Sequence, residues 1–297
     1  MTGENIEYID AYIFMTYENM LKTLEKKRLK VLFPEECNDP FEFMSAPPTE
    51  LPDGYTSFYS NYLRKEHGFL SFTKTYKSPP MWAHYADNHK GCCVHFRFPS
   101  RPEQNSLNKI LASQENPSYH YRQLLVEHEG ASFVSIQSSK THEITNYVIL
   151  LDILYQKKRA EFDGILLGHT SFGNKSEFRI NPVFITKDES WGYEQEQRII
   201  IPTSFPTEVE DNLIFVRGFN PYIKSVMLGM HCPYSEGLTQ SLINALTLGE
   251  KNGTKITYSS KKCNCISVSK VQPTRDTFEV ISDEHENLLQ SLKENGE

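Results

Sequence analysis

Hydrophobic residues near the start of the chain fall into short runs with two different spacings. Met20, Leu21 and Leu24 lie at helical intervals among lysines, which predicts an amphipathic helix over 17–27. Apolar residues then occupy every second position over 29–33, a pattern typical of a strand. The first part of the chain therefore mixes helical and extended elements.

A strand, a short helix and a second strand follow closely on one another. Residues 69–73 are apolar and aromatic enough for a strand. The Ser-Pro-Pro sequence at 78–80 predicts an N-cap and the first turn of a short helix, and Gly91 is expected to end it. Residues 93–98 then favour a strand. This arrangement brings many polar-tipped aromatic side chains together.

The remaining pattern extends the mixture of helix and strand. Asn38 and Asp39 favour a turn in which a side chain accepts a backbone hydrogen bond, so we expect a structural role for them. We expect helices over 55–66, 103–113, 120–128, 142–162 (the longest) and 235–248; strands over 213–216, 225–230 and 255–259; loops over 47–54 and 164–175; and an irregular segment or short strand over 130–140.

These elements indicate an α+β fold with a central antiparallel or mixed sheet and surrounding helices. We find no internal repeat and no linker that divides the chain, so residues 1–281 are interpreted as one mixed domain. Residues 282–297 are rich in Glu, Lys and Asn, which favours a charged tail.

Composition excludes several classes of protein. The chain has 297 residues and a formal net charge of −7, which argues against a general phosphate-binding surface. Its six cysteines form no C-x-x-C pair. We see no signal-peptide pattern and no apolar run long enough to span a bilayer. The sequence therefore predicts a cytoplasmic protein with reduced thiols.

The short helix after residue 78 carries the first candidate binding residues. Trp82 and Tyr85 lie three positions apart and so share a helix face, with His84 beside it. A segment that only filled the core would use Leu, Ile and Val, so these residue types suggest a ligand pocket. The alternative is that Trp82 and Tyr85 are core aromatics whose polar tips are satisfied.

The second candidate stretch is 191–202, where an isoleucine run ending in proline predicts a strand. On a strand, Glu194, Glu196 and Arg198 would share one face, with the two carboxylates roughly 7 Å apart. Two acids at that separation can serve a sugar hydroxyl and a nucleophile, and Arg198 can pair with Glu196 or hold an anion. The alternative is a solvated charged face on an edge strand.

Several motifs occur in an order that resembles a known bacterial family, the one catalogued as domain of unknown function 2971. The resemblance covers about 12–230. Its motifs are Leu32-Phe33-Pro34, Asn38-Asp39-Pro40-Phe41-Glu42, Ser71-Phe72, residues 81–92 with the Trp-x-x-Tyr-Ala pattern, and residues 191–198. The family name implies no activity.

A fainter resemblance is to the ADP-ribosyltransferase superfamily. The Phe-Leu-Ser-Phe-Thr run around Ser71 is similar to that family's Ser-containing strand, and Glu194-Gln195-Glu196 is similar to its late E-x-E strand. The chain departs from the family at 12–15, which holds no Arg or His where a first-strand basic residue is expected. Arg28 or Lys30 is the substitute that the sequence offers.

The resemblance implies an enzyme that binds NAD and transfers ADP-ribose. Glu196 would stabilise the oxocarbenium-like ribose, and Glu194 would orient or deprotonate the acceptor nucleophile. Ser71 would support the nicotinamide side, and Tyr85 or Trp82 would stack on a ring. Ser71 and Glu196 should then lie on neighbouring strands. The acceptor could be a protein, a nucleic acid or a small molecule, and a bacterial toxin or phage-defence role would suit this activity.

Other classes of function stay open from the sequence. His84, His89, Cys92 and Cys93 do not have the pair spacing of zinc sites, so no metal is expected and the thiols are interpreted as small core residues. Carboxylates of Asp39, Glu42, Glu194 and Glu196 could gather around magnesium in a nuclease. A third alternative is a non-catalytic module that binds a nucleotide by stacking on Trp82 and Tyr85.

Overall fold

The chain divides into two compact units, each assembled from three separate stretches. In the computed structural model, the described residues are 7–44, 67–101, 121–124, 135–137, 144–146, 148–160, 168–172, 175–179, 182–202, 207–233, 267–275, 277 and 279–282. The first unit comprises Met1–Tyr8, Lys30–Ser71 and Pro99–Val216. The second unit comprises Ile9–Leu29, Phe72–Phe98 and Arg217–Glu297.

Strands dominate the described residues, with two α-helices and four short 3-10 helices among them. The α-helices are α1 (Tyr17–Lys26) and α2 (Pro79–Tyr85). The strands are β1 (Glu7–Met15), β2 (Arg28–Lys30), β3 (His67–Thr73), β4 (Cys92–Arg101), β5 (Tyr121–Leu124), β6 (Ser135–Gln137), β7 (Ile144–Asn146), β8 (Val148–Asp152), β9 (Leu154–Tyr155), β10 (Gly168–Phe172), β11 (Lys175–Arg179), β12 (Thr186–Lys187), β13 (Glu196–Pro202), β14 (Glu208–Glu210), β15 (Leu213–Arg217), β16 (Ile223–Leu228), β17 (Ser267–Pro273) and β18 (Val280–Ser282). The 3-10 helices are Pro34–Glu36, Pro182–Phe184, Glu189–Glu194 and Asn220–Tyr222.

Within the first unit, β13 lies between β3 and β8 in the nine-stranded sheet, and β8 also pairs with β5. The β13–β8 and β5–β8 pairs are antiparallel. A short parallel pair, β9 with β12, joins this region at Thr186 and Leu154. Ten buried apolar residues, Phe43, Phe69 and Phe184 among them, pack into one core in this unit. Strand β13 therefore runs through the middle of a sheet, with buried side chains on both faces.

Strand pairing within the second unit is mixed, because β16 pairs antiparallel with β4 and parallel with β17. Helix α2 fixes Trp82 in this unit. The Trp82 ring is fully buried, it meets Phe14 edge to face at 5.0 Å, and its indole N–H donates to the carbonyl of Tyr76 over 2.6 Å. Cys92 and Cys93 are buried free thiols in β4, as expected for small core residues.

Much of the predicted organisation is confirmed. The α+β class and the mixed sheet are observed. The helix expected over 17–27 is α1, and the short helix α2 begins as predicted, with Ser78 at the N-cap and the two prolines in its first turn. Predicted strands at 69–73, 93–98, 213–216 and 225–230 correspond to β3, β4, β15 and β16. The segment over 130–140 contains the short strand β6.

The longest predicted helix, 142–162, is wrong, because this segment contains β7, β8 and β9. Ile149, Leu150 and Leu151 are consecutive and all buried, as in a strand covered on both faces. A short apolar run of this kind cannot be distinguished from a buried helix by its spacing alone. Pairing with β5 and β13 decides in favour of strand.

Two smaller predictions are also corrected. The helix expected over 120–128 contains strand β5, which pairs with β8. The loop expected over 164–175 contains β10, which pairs antiparallel with β11. The predictions for 47–54, 55–66, 103–113, 235–248 and 255–259, and for the tail beyond Ser282, lie outside the described residues, and the single-domain boundary at 281 stays a prediction. Within the described ranges, no helix has the length and apolarity needed to cross a membrane.

A tight glycine contact closes the turn between α2 and β4 in the second unit. Asp87, Asn88 and His89 all adopt positive φ angles, and Gly91 directly precedes the first residue of β4. The Gly229 N–H donates to the carbonyl of Gly91 over 2.8 Å. A Cβ on Gly229 would lie 2.1 Å from the carbonyl oxygen of His89, so any side chain there collides with backbone.

We expect Gly229→Ala to lower the free energy of unfolding by roughly 2–3 kcal/mol, as for other overpacked sites. Gly192→Ala is the matched control, because its Cβ would come no closer than 4.0 Å to Tyr155. Urea unfolding of the two variants and the wild type measures both effects. Equal midpoints for Gly229→Ala and the wild type would contradict the packing described for this turn.

Candidate functional site

A group of buried charged side chains lies in the first unit. It consists of Glu42, Lys187, Glu194, Glu196 and Arg198, and we call it the charge network. Each of these side chains is at most 5% exposed. Burial of so many ionisable groups is costly unless each finds a partner, so their contacts determine what the site can do.

Arg198 is the most constrained member of the charge network. Its Nε and Nη2 donate to the two carboxylate oxygens of Glu196 over 2.7 and 2.8 Å. Nη1 donates to the carbonyl of Phe184 over 3.0 Å, and Nη2 also donates to the Glu42 carboxylate. The rings of Phe43 and Phe69 cover the guanidinium at 4.9 and 4.6 Å. The Arg198 guanidinium is therefore fixed by hydrogen bonds from Nε, Nη1 and Nη2 and by contact with two aromatic rings.

Lys187 joins the three carboxylates of the charge network. Its ammonium donates to Glu194 over 2.6 Å and lies 3.4 Å from Glu196 and 3.5 Å from Glu42. The ring of Trp191 lies 5.1 Å from the same nitrogen. A single cation therefore connects all three acids.

The backbone around Gln195 explains how two nearby glutamates reach the same lysine. Asp188 caps the 3-10 helix Glu189–Glu194 by accepting from the Ser190 N–H over 3.0 Å. Gln195 then adopts a left-handed conformation with φ of 46°, and β13 begins at Glu196. This turn directs Glu194 and Glu196 towards Lys187.

Two features of the predicted strand over 191–202 are thereby corrected. The strand starts at Glu196, so Glu194 does not lie on its face but ends the preceding 3-10 helix. The alternative of a solvated charged edge is wrong, because Glu194, Glu196 and Arg198 are all buried. The expected pairing of Arg198 with Glu196 is confirmed.

Ser71 and Glu196 lie on neighbouring strands, as predicted. The Ser71 hydroxyl donates to the Glu196 carboxylate over 2.7 Å, although the residues are 125 positions apart in sequence. On the other side, the backbone N–H of Glu196 donates to the hydroxyl of Tyr155 over 2.7 Å. These contacts fix the position of Glu196, and the Ser71 side chain that donates to its carboxylate is half-buried.

The charge network favours a bound proton near neutral pH. Its three carboxylates face two cations, so the fully ionised set carries one excess negative charge. Burial raises the pKa of Glu196 to about 7, and this outweighs the opposite effects of Lys187 and of the Ser71 hydrogen bond. An acid with this pKa can donate or accept a proton at physiological pH.

A pocket of about 420 Å³ borders the charge network in the first unit. The buried side chains of Glu42 and Lys187 line it, and Phe41 and Trp191 contribute aromatic surface. Phe41 is 62% exposed. Three consecutive cationic residues, 157–159, line the pocket as well, with the Arg159 guanidinium 5.3 Å from the centre of the Phe41 ring. This volume suits a small organic ligand.

Four of the predicted site residues come together in the first unit: Ser71, Glu194, Glu196 and Arg198. Trp82, His84 and Tyr85 lie on α2 in the second unit, so their part in a site stays a prediction. Trp82 is a core aromatic with a satisfied N–H, His84 is exposed, and Tyr85 is half-buried.

The sequence did not single out every residue of the site. Lys187 was missed, because a single lysine that follows the apolar residues 183–185 after Thr186 does not by itself indicate a site. Tyr155 was assigned to a helix, and Glu42 was considered only as a metal ligand. Neither proposed substitute for the first-strand basic residue belongs to the charge network, because Lys30 pairs with Glu36 and Arg28 lies in the second unit. The cations beside Glu196 are Lys187 and Arg198 instead.

The asparagine–aspartate turn predicted near 38–39 is present. Asp39 accepts a hydrogen bond from the Phe41 N–H over 2.9 Å and is buried beside the pocket. Across the described ranges, no group of three or more His, Cys, Asp or Glu side chains is arranged to hold a metal ion.

Residues 81–199 match the model of a family described as Protein of unknown function (DUF2971). This match confirms the resemblance to that family, over a shorter span than the 12–230 indicated by the motifs. It includes Lys187, Glu194, Glu196 and Arg198, and it begins after Glu42 and Ser71. No curated protein and no solved structure matches the chain. The resemblance to ADP-ribosyltransferases therefore rests on the sequence motifs alone.

The raised pKa of Glu196 predicts how stability depends on pH. The side chain of an unfolded glutamate has a pKa of about 4.3, so between about pH 4.5 and 7 the folded state binds more protons than the unfolded state. The free energy of unfolding should therefore fall as the pH rises through this range. Glu196→Gln cannot ionise, so it should flatten the fall by on the order of 1–3 kcal/mol. Urea unfolding between pH 4.5 and 8 measures this, and identical pH profiles for the two proteins would contradict it.

Proposed function

We propose that this chain is an ADP-ribosyltransferase-like enzyme that binds NAD and transfers ADP-ribose to an acceptor. The observation that supports this most directly is the hydrogen bond from Ser71 to Glu196 across neighbouring strands. If the resemblance to ADP-ribosyltransferases is real, Ser71 and Glu196 are expected to lie next to each other. A chance similarity of two short motifs gives no such expectation.

In this proposal, the glycosidic bond between nicotinamide and ribose C1′ breaks, and its electron pair leaves with the nicotinamide nitrogen. The ribose becomes oxocarbenium-like, and the Glu196 carboxylate stabilises this positive charge while accepting from the 2′-hydroxyl. The acceptor then bonds to C1′ and gives its proton to Glu194, whose carboxylate is bonded to Lys187. Bonds from Arg198 and Ser71 keep the Glu196 carboxylate in place.

The proposed substrate is a nucleotide-like small molecule, NAD, and the acceptor is a protein, a nucleic acid or a small molecule. The carboxylates and cations of the chain supply the chemistry described, so the proposal includes no metal. A cytoplasmic setting provides NAD, and a bacterial toxin or phage-defence role suits the depletion or transfer of ADP-ribose.

A second candidate is a nucleotide-binding module without turnover. The observation that favours it is the complete engagement of the Glu196 carboxylate, both oxygens of which are bonded to Arg198 in a side chain only 5% exposed. In that case the charge network is a rigid scaffold, and ligand binding is the whole function.

Glu196→Gln tests the transferase proposal. The substitution keeps the size of the side chain and removes its charge, so the oxocarbenium-like state loses its partner while ground-state binding changes little. We expect release of nicotinamide from NAD, measured with cell lysate as a source of acceptor, to fall on the order of 10²–10³-fold with nearly unchanged NAD affinity. Glu25→Gln, at an exposed position of α1, is the matched control and should behave as the wild type.

Measurements of nicotinamide release, NAD binding and nucleic-acid cleavage on the same proteins distinguish the alternatives. Wild-type protein that binds NAD but releases no nicotinamide, with or without lysate, supports the binding module. Magnesium-dependent cleavage of nucleic acid, lost in Glu196→Gln and indifferent to NAD, supports a nuclease. If the wild type releases no nicotinamide and NAD does not shift its thermal unfolding, the proposal that the chain binds NAD is wrong.

A further inference from the structure

Lys187 is the residue that the pocket and Glu196 have in common. Its side chain lines the pocket beside Glu42. Its ammonium also lies within 3.5 Å of a carboxylate oxygen of Glu42 and within 3.4 Å of one of Glu196. A molecule that binds beside Lys187 in this pocket therefore meets a cation that already contacts the proposed reactive carboxylate.

Of the side chains bonded to Glu196, Lys187 is held least firmly to it. Ser71 and Arg198 lie 2.7 Å from Glu196, whereas Lys187 lies 3.4 Å from it. Arg198 is also fixed by the Phe184 carbonyl and by two aromatic rings. Lys187 is anchored by its 2.6 Å hydrogen bond to Glu194, and its longer contact with Glu196 is the one that a movement of this flexible side chain towards a ligand would break first.

The pocket favours a negatively charged ligand, because four cationic and three acidic side chains line it and each of the three acids already has a hydrogen-bond donor. Asp39 accepts from the Phe41 N–H, Asp188 accepts from the Ser190 N–H, and Glu42 binds Arg198. The lining cations at 157–159 carry three positive charges on adjacent residues. Lys157 forms an exposed ion pair with Glu189, and the Arg159 guanidinium lies over the Phe41 ring. An incoming phosphate would find more available donors than acceptors.

The aromatic surface of the pocket adds a preference for a planar ring. Phe41 is largely exposed, and Trp191 is half-buried with Lys187 near its face. Aromatic side chains of this kind stack on a base whatever its hydrogen-bonding pattern. Ring and phosphate occur together in a nucleotide.

We propose that this pocket binds the nucleotide part of the substrate, with its phosphate on the cations at 157–159 and on Lys187, and that Lys187 is a positioning residue which this phosphate draws away from Glu196. Arg198 still donates to the same carboxylate oxygen of Glu196, so movement of Lys187 removes one of its two donors and leaves that oxygen able to accept from the ribose hydroxyl. This inference rests on the proposed function, and it names the nucleotide phosphate as the group that prepares the site.

Binding of ADP-ribose and of adenosine, measured by calorimetry, tests the location of the site. ADP-ribose already lacks nicotinamide, so it reports binding without turnover. We expect Trp191→Ala and Lys158→Glu each to weaken binding of ADP-ribose by about tenfold or more. The matched controls are Tyr8→Ala, an exposed aromatic outside the pocket, and Lys224→Glu, an exposed lysine of β16. Both should bind as the wild type.

The part played by Lys187 is tested by comparing the two ligands. The wild type should bind ADP-ribose about tenfold or more tightly than adenosine, because only ADP-ribose carries phosphate. Lys187→Gln should reduce this ratio by about threefold or more and leave adenosine binding unchanged, and Lys187→Arg should restore it. A purely structural role would weaken both ligands alike. If Lys187→Gln does not fold, Lys158→Gln provides the same comparison for the phosphate.

Several outcomes overturn the inference. These are no binding of ADP-ribose by the wild type, equal binding by the pocket variants, and an unchanged ligand ratio in the lysine variants. ADP-ribose binding without nicotinamide release from NAD would leave this pocket assignment standing and remove the transferase. Nicotinamide release at the wild-type rate in the pocket variants would support the transferase and contradict the assignment of this pocket.

Discussion

The Arg198 guanidinium has almost no contact with water, since its side chain is 1% exposed, and the first unit is arranged around its contacts. The groups that satisfy it come from separate segments: Glu42 from the turn at 41–44, the carbonyl of Phe184, and Glu196 from its own strand. Phe69 of β3 and Phe43 cover its faces. Loss of one partner would leave a buried charge uncompensated, at a cost of about 3–5 kcal/mol. This requirement fixes the relative positions of the segments that form the site.

The same burial gives the site its chemical properties. The second cation, Lys187, links the three acids of the charge network, yet one negative charge is left over, and burial places the pKa of Glu196 near neutral pH. A structural ion-pair cluster would not need to border a pocket, but Glu42 and Lys187 line one that also carries aromatic rings and further cations. Perturbed acids beside a pocket of this kind are typical of catalytic and binding sites. The alternative function, a nucleotide-binding module without turnover, uses the same charge network and pocket and differs from the transferase only in that Glu196 does not react.

The elements that the sequence predicted correctly are those with a local cause. The Ser-Pro-Pro sequence begins α2, amphipathic spacing marks α1, and Asp39 forms its own turn. The pair of Ser71 and Glu196 was found through similarity of two motifs to a family. Local reasoning failed where tertiary contacts decide. The apolar run in β8 has the composition of a buried helix or strand, and only pairing with β5 and β13 selects strand. No local pattern indicates that Lys187 meets three acids or that Gln195 turns the chain between two of them.

The central claim is that burial within the charge network raises the pKa of Glu196 to about 7. Infrared difference spectroscopy tests this directly, because a protonated carboxyl has a carbonyl stretch that is absent from a carboxylate. Spectra recorded from pH 5 to 9 for the wild type, minus those for Glu196→Gln, should show this band disappearing with a midpoint at about pH 7. A difference spectrum without the band at any pH in this range would show that Glu196 stays ionised, and the account of the site would be wrong.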